Sequence, residues 1–151
     1  MSALLGYQLF LKGMPTQVQK YLSPSIKLNA HQPFRWLVQF YDQDRRVHYE
    51  VSRIAKRGDF ELALHFESKH KPLNAHMLTG FSRRLFEIHD QIGDRIVAEE
   101  WDRGWSKVYE VYPQAPLTED YQEAMGRRMA EIIGCLHPIM QDLYELPVAR
   151  R

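Results

Sequence analysis

The chain has 151 residues, and its twenty lysines and arginines against nineteen acids give a net charge of +1. This balance excludes the strongly positive surface field that drives non-specific binding to nucleic acid. Hydrophobic residues make up 44% of the chain and charged residues 26%, as in soluble globular domains and unlike disordered or fibrous chains. We therefore expect one compact domain over residues 1–151.

Cys135 is the only cysteine, which excludes an intrachain disulfide framework and a multi-cysteine metal site. The opening segment MSALLGYQLFLKGM has no basic residue before its apolar part, so we do not expect a secretory signal. No apolar run approaches the roughly 20 residues that span a bilayer. The sequence predicts a cytoplasmic protein without a membrane segment.

Apolar residues recur at spacings of three and four near the start of the chain. The members of this stripe are Leu4, Tyr7, Leu11, Met14, Val18 and Tyr21. The stripe predicts a helix over residues 1–22 that kinks at Pro15, or splits in two where Gly13 and Pro15 stand close together. The following segment, 23–33, contains Pro24 and Pro33 and is predicted to be a connector.

Residues 34–69 alternate between apolar and polar side chains, which predicts a meander of three strands. The apolar faces consist of Phe34, Trp36, Val38 and Phe40, then Val47, Tyr49 and Val51, then Phe60, Leu62, Leu64 and Phe66. Aligning these faces predicts four cross-strand pairs: Phe40 with Val47, Val38 with Tyr49, Val51 with Leu62 and Tyr49 with Leu64.

Helical spacing returns over 72–92 and again over 118–146, which predicts two more helices. Gly93 is placed to end the first, while Thr118 is placed to cap the second, which we expect to kink at Pro138. Between them, residues 95–112 form a predicted hairpin with a three-residue turn, Asp102 to Gly104. That hairpin sets Trp101 against Trp105 and Glu99 against Lys107.

The predicted order is αβββαββα, an α+β fold in which helices cover one face of a five-stranded antiparallel sheet. This order resembles the type III secretion chaperone fold. The resemblance implies a small cytoplasmic homodimer that holds a partner protein. The leading αβββαβ portion also resembles the core of the PD-(D/E)xK nucleases.

The predicted register lines up the polar face of the meander as well. It pairs His48 with His65, Arg46 with Glu67, Glu50 with Ala63, and Ser52 with Glu61. The nuclease resemblance assigns Asp44 and Glu67 as Mg²⁺ ligands and Lys69 as the residue that helps to activate water. The alternative interpretation is that these are cross-strand charge pairs on a solvated face.

His48, His65 and Glu67 could also converge as metal ligands. Surface histidines or a pH-sensitive pair explain the same pattern without a metal, so we expect no metal or other cofactor, apart from Mg²⁺ under the nuclease hypothesis. As candidate binding residues we select Trp101, Trp105, His48 and His65.

No catalytic motif stands out, and the three predicted helices leave the second face of the sheet open. We therefore expect a non-catalytic, chaperone-like module that binds another protein, with a homodimer as its expected form. The alternative is a metal-dependent nuclease, or a degenerate relative, that uses Asp44, Glu67 and Lys69. A role in nucleic-acid binding without catalysis would require a local basic patch.

Overall fold

A computed structural model describes residues 4–148. The helices are α1 (Tyr7–Lys12), α2 (Met14–Tyr21), α3 (Lys71–Arg83), α4 (Leu85–Ile92) and α5 (Glu119–Glu145). The strands are β1 (Asn29–Phe34), β2 (Leu37–Tyr41), β3 (Val47–Arg53), β4 (Phe60–Phe66), β5 (Val97–Asp102) and β6 (Trp105–Tyr112). The first three residues of the predicted N-terminal helix lie outside the described range.

The strands form one antiparallel sheet in the order β1-β2-β3-β4-β6-β5. The α+β class and the antiparallel sheet are confirmed, but the expectation of five strands is wrong because β1 lies in the predicted connector. Pro33 is tolerated there since β1 is an edge strand, where a missing backbone donor costs little.

The predicted first strand divides at a turn, and Phe34 on β1 pairs with Leu37 on β2. Phe34 and Trp36 are consequently not in the core with Val38 and Phe40. Each is more than half exposed, and their rings stack 4.8 Å apart.

The register between β3 and β4 is confirmed, with Tyr49 opposite Leu64 and Val51 opposite Leu62. The register between β2 and β3 differs by two residues from the prediction, since Phe40 pairs with Tyr49. Residues 42–46 form the longer connection, within which the Asp44 side chain accepts a hydrogen bond from the Arg46 backbone N–H at 2.9 Å. A shift of two residues keeps side chains on the same face, so the apolar pattern still matches.

Two of the three predicted helices are divided in the structure, and the division of the first was one of the two expected outcomes. The N-terminal helix breaks at Gly13, and Pro15 lies in the first turn of α2, where a missing N–H costs no hydrogen bond. The helix predicted over 72–92 is divided at Arg84 into α3 and α4, and α4 ends before Gly93 as expected. In α5, Thr118 Oγ1 accepts from the Tyr121 N–H at 3.1 Å, which confirms the cap, and the helix continues through Pro138.

The last hairpin is tighter than predicted. Asp102 pairs directly with Trp105, so the turn contains only Arg103 and Gly104, with φ of 51° and 76°. Two positive φ values are typical of a type I′ turn, whose twist matches that of the strands. The pairing of Glu99 with Lys107 is confirmed.

One core joins the helices to the apolar face of the sheet. Its strand members include Tyr49, Val51, Leu62, Leu64 and Phe66, and its helical members include Phe10, Met77, Phe81, Met129 and Leu136. None of the helices among residues 4–148 has the length and apolar content needed to cross a membrane. The opposite side of the sheet, which we call the polar face, carries Gln39, His48, Glu50, His65 and Lys107.

Two glycines of α5 offer a matched test of the contact between α5 and α2. A Cβ on Gly126 would lie 2.9 Å from the backbone carbonyl carbon of Gln17, whereas a Cβ on Gly134 would meet nothing within 4 Å. We expect Gly126→Ala to lower the free energy of unfolding by about 1–3 kcal/mol through overpacking. Gly134→Ala should raise it by about 0.5–1 kcal/mol, since alanine favours the helix. Urea denaturation measures both changes, and equal shifts in the two variants would contradict this close packing.

Candidate functional site on the polar face

Two His-x-Glu segments lie side by side on the polar face. His48 and Glu50 belong to β3, while His65 is near the end of β4 and Glu67 directly follows it. Because side chains alternate along a strand, each histidine shares a face with its own glutamate. His48 pairs directly with His65 and Glu50 with Ala63, as predicted from the register. Two imidazoles and two carboxylates are therefore brought to one place.

The orientation of His48 is fixed by a backbone carbonyl. Its Nδ1 lies 2.7 Å from the Arg45 oxygen, which can only accept, so Nδ1 donates. Its Nε2 consequently faces inward, 3.2 Å from Glu50 Oε1 and 3.3 Å from the Gln39 side-chain nitrogen. The His48 ring is 2% exposed.

His65 lies between two carboxylates. Its Nδ1 is 2.9 Å from Glu67 Oε2, and its Nε2 is 3.0 Å from Glu61 Oε1. Although burial lowers the pKa of His65, the hydrogen bonds to Glu61 and Glu67 and the charge of Glu50 raise it to about 9. Both nitrogens therefore donate, and the ring is an imidazolium at neutral pH in the metal-free protein.

The carboxylates of Glu50 and Glu61 stay ionised because hydrogen bonds and neighbouring positive charges outweigh the effect of burial. Burial raises the pKa of Glu50, but hydrogen bonds and charge from His48 and His65 outweigh that effect and lower it to about 2. The pKa of Glu61 is also lowered, since bonds from His65 and from Lys107 outweigh desolvation. Lys107 Nζ reaches Glu61 Oε2 at 2.9 Å.

These charged groups are buried. None of the described helices donates or accepts a hydrogen bond on the polar face. His65 is 5% exposed and Glu50 is 7% exposed. Ala63 lies between Glu61 and His65 on the same face, and its small side chain leaves room for them to meet above it. The Trp101 ring lies 5.3 Å from that of His65 and helps to cover it.

The structure unites three of the four candidate binding residues. His65 lies between His48 and Trp101, with each ring centroid 5.3 Å from its own, and Trp105 packs against Trp101 at 5.3 Å in a tilted arrangement. Glu50, Glu61 and Lys107 also belong to the cluster and were not among the residues predicted from the sequence. The repeated His-x-Glu segment was the signal that could have identified Glu50.

The residues of the nuclease hypothesis have different surroundings. Glu67 is bonded to His65, whereas Asp44 borders a cavity of about 390 Å³ between the β2–β3 connection and α5. Lys69 is exposed and forms no ion pair within the described part of the chain. The nuclease assignment stays a prediction.

That cavity contains a second polar pair. The Tyr49 hydroxyl lies 3.0 Å from His137 Nδ1. Burial raises the pKa of Tyr49 and lowers that of His137, so both groups are neutral near pH 7. The hydroxyl therefore donates to the imidazole, so each polar atom of the pair has a partner.

Comparisons with protein-family models, with curated proteins and with solved structures found no match to this chain. No residue role can therefore be transferred from a relative. The chemistry of the polar face has to be derived from its own geometry.

The charge on His65 predicts a specific pH dependence of stability. Its folded pKa of about 9 exceeds the ordinary value of 6.5, so its contribution is complete below pH 6.5 and disappears as pH rises through 9. In EDTA, native protein should lose on the order of 3 kcal/mol of unfolding free energy over this range relative to His65→Gln. Urea titrations at pH 6 and pH 9.5 measure the difference.

His70 provides the matched control, since its ring is exposed and forms no hydrogen bond with a described residue. His70→Gln should keep the native pH dependence. If His65→Gln kept it as well, the ionised imidazolium would not be its source.

Proposed function

We propose that this protein is a non-catalytic, cytoplasmic binding module that receives an extended, basic segment of another protein along strand β5. The observation that carries the proposal is that β5 is an edge strand. Among the described strands only β6 pairs with it, so its outer side has room for a further strand. Addition of a strand to such an edge is a recurring mode of peptide recognition.

The side chains of β5 favour a basic partner. Glu99, Glu100 and Asp102 are all exposed, and the strand has no basic residue. Two copies of β5 would place acids against acids, which is unfavourable across a strand pair. A segment with lysine or arginine would instead form complementary pairs.

Trp101 gives this edge an apolar anchor. It is 39% exposed and lies between His65 and Trp105. Partly exposed tryptophans beside a polar rim are typical hot spots of protein interfaces. The same ring supplies a fluorescent reporter of binding.

The homodimer expected from the chaperone resemblance has a separate candidate surface. Phe34 and Trp36 are 53% and 52% exposed and stack with an interplanar angle of 3° at the opposite edge of the sheet. Their turn also carries Arg35 and has no acid. We place a second copy of the chain against this aromatic pair, because it is apolar and lacks the acidic repulsion of β5.

The alternative function is cleavage of nucleic acid. It requires Asp44 to join Glu67 and Lys69 around Mg²⁺, although Asp44 borders the cavity on the helix side of the sheet. Mg²⁺- or Mn²⁺-dependent cleavage that Lys69→Ala abolishes would support this alternative over the binding module.

The binding proposal is tested with two alternating eight-residue peptides, one of valine and lysine and one of valine and glutamate. We expect the basic peptide to change Trp101 fluorescence and to bind at least about tenfold more tightly than the acidic peptide. The double variant Glu100→Lys/Asp102→Lys should reverse this preference. Asp90→Lys alters an exposed acid of α4 that is not part of β5 and should leave it unchanged. Equal affinity for the two peptides would contradict the proposed site.

The dimer is tested by light scattering across a range of protein concentrations. We expect native protein to have twice the monomer mass at high concentration, and Trp36→Ala to shift the equilibrium towards monomer by removing apolar contact area. Phe86→Ala is the control, because Phe86 is 92% exposed on α4. A native monomer at every concentration would exclude the dimer.

A further inference from the structure

We propose that the polar face binds one divalent transition-metal ion, with Zn²⁺ as its probe, through His48 Nε2, His65 Nδ1 and carboxylate oxygens of Glu50 and Glu67. This inference is independent of the proposed peptide site. It rests on the convergence of donor atoms, on the way in which the histidines are held, and on the charge around them.

Three of the four proposed ligands already converge, and Glu50 lies beside them. One ligand atom from each of His48, His65 and Glu67 lies within 4.8 Å of the others. Glu50 Oε1 is 3.2 Å from His48 Nε2 and 3.9 Å from His65 Nδ1, and Glu67 Oε2 is 2.9 Å from His65 Nδ1. Zinc bonds of about 2.0–2.2 Å in a tetrahedron separate neighbouring ligand atoms by about 3.3 Å. Glu50 is outside the group of three that lies within 4.8 Å, so it would become the fourth ligand only after its carboxylate moves closer.

The second nitrogen of each histidine is already held in the manner of a metal ligand. His48 Nδ1 donates to the Arg45 carbonyl, and His65 Nε2 donates to Glu61, which Lys107 fixes in turn. Metal-bound histidines characteristically donate their other N–H to a carbonyl or carboxylate, which fixes the ring orientation. His48 Nε2 consequently faces Glu50, while His65 Nδ1 faces Glu67 and lies 3.9 Å from Glu50 Oε1.

The charge of the cluster favours a divalent ion. Glu50, Glu61 and Glu67 contribute three negative charges, and Lys107 contributes one positive charge. With both imidazoles neutral, a divalent ion brings the cluster to zero net charge. At His65 the ion takes the place of the Nδ1 proton. His65 Nδ1 and the Glu67 carboxylate, which share that proton in a hydrogen bond, then both coordinate the metal.

The donor types indicate the class of metal. Two imidazoles with two carboxylates suit Zn²⁺ and neighbouring transition ions, whereas Mg²⁺ and Ca²⁺ prefer all-oxygen sites. Affinity should follow the usual order in which Cu²⁺ binds more tightly than Zn²⁺ or Ni²⁺. Trp101 lies 5.3 Å from His65, so Cu²⁺ or Ni²⁺ should quench its fluorescence.

The proposal is tested by calorimetric titration of ZnCl₂ into untagged, full-length protein that has been stripped with EDTA. We expect one ion per chain, a micromolar or lower Kd, and no competition from millimolar Mg²⁺. His48→Gln should weaken binding by at least about 100-fold, and Glu61→Gln by about 10- to 100-fold, because Glu61 only positions His65. Co²⁺ should give the visible absorption of a tetrahedral nitrogen and oxygen site, which Glu61→Gln alters.

Two further variants keep the test decisive. His70→Gln changes an exposed histidine outside the cluster and should retain native affinity. If circular dichroism shows that His48→Gln is unfolded, Glu67→Gln replaces it, because Glu67 follows β4 and its side chain is 23% exposed. Absence of Zn²⁺ binding up to millimolar concentration would overturn the proposal. Native affinity in a folded variant at His48 or Glu67 would do so as well.

Discussion

The pairing of β3 with β4 is the constraint on which the rest of this structure depends. One register places Tyr49 against Leu64 in the core and, on the other side of the same strands, His48 against His65. Because side chains alternate strictly, the core cannot shift by one residue without exposing its apolar side chains and burying the charged ones. The hydrophobic effect on one face therefore determines the chemistry on the other.

Burial of this charged cluster is energetically unfavourable for a fold of this size. Removing ions from water costs several kcal/mol each, and only close, well-oriented partners offset that cost. Here the partners are mutual, since Glu61 accepts from both His65 and Lys107 while Glu50 lies between the two histidines. Buried ion pairs contribute little net stability, and groups with strongly shifted pKa values are candidates for ligand binding.

Alternation and helical spacing were sufficient to predict much of the fold and part of the site. They identified both faces of β3 and β4, the His48–His65 pair and the cap at Thr118. They missed β1 because its residues lack an apolar face and it contains Pro33. The break at Arg84 was missed because apolar spacing continues across it, while the Arg84 side chain pairs locally with Glu87 and, 58 residues away, with Asp142, which spacing does not reveal. Glu61 and His65 are four residues apart in the sequence. Their contact depends on the small size of Ala63 and on Lys107 of the neighbouring strand β6. Spacing alone reveals neither of these conditions.

The acidic edge at β5 and the histidine cluster meet at Trp101, so a bound segment and a bound ion would both lie next to the Trp101 ring. The proposed metal site requires the two His-x-Glu segments to bind one ion together. Anomalous X-ray diffraction at the zinc edge, from crystals of the Zn²⁺-loaded protein, tests it most directly. We expect one peak about 2.0–2.2 Å from His48 Nε2, His65 Nδ1 and the oxygens of Glu50 and Glu67. A peak at other histidines, or none between β3 and β4, would contradict it.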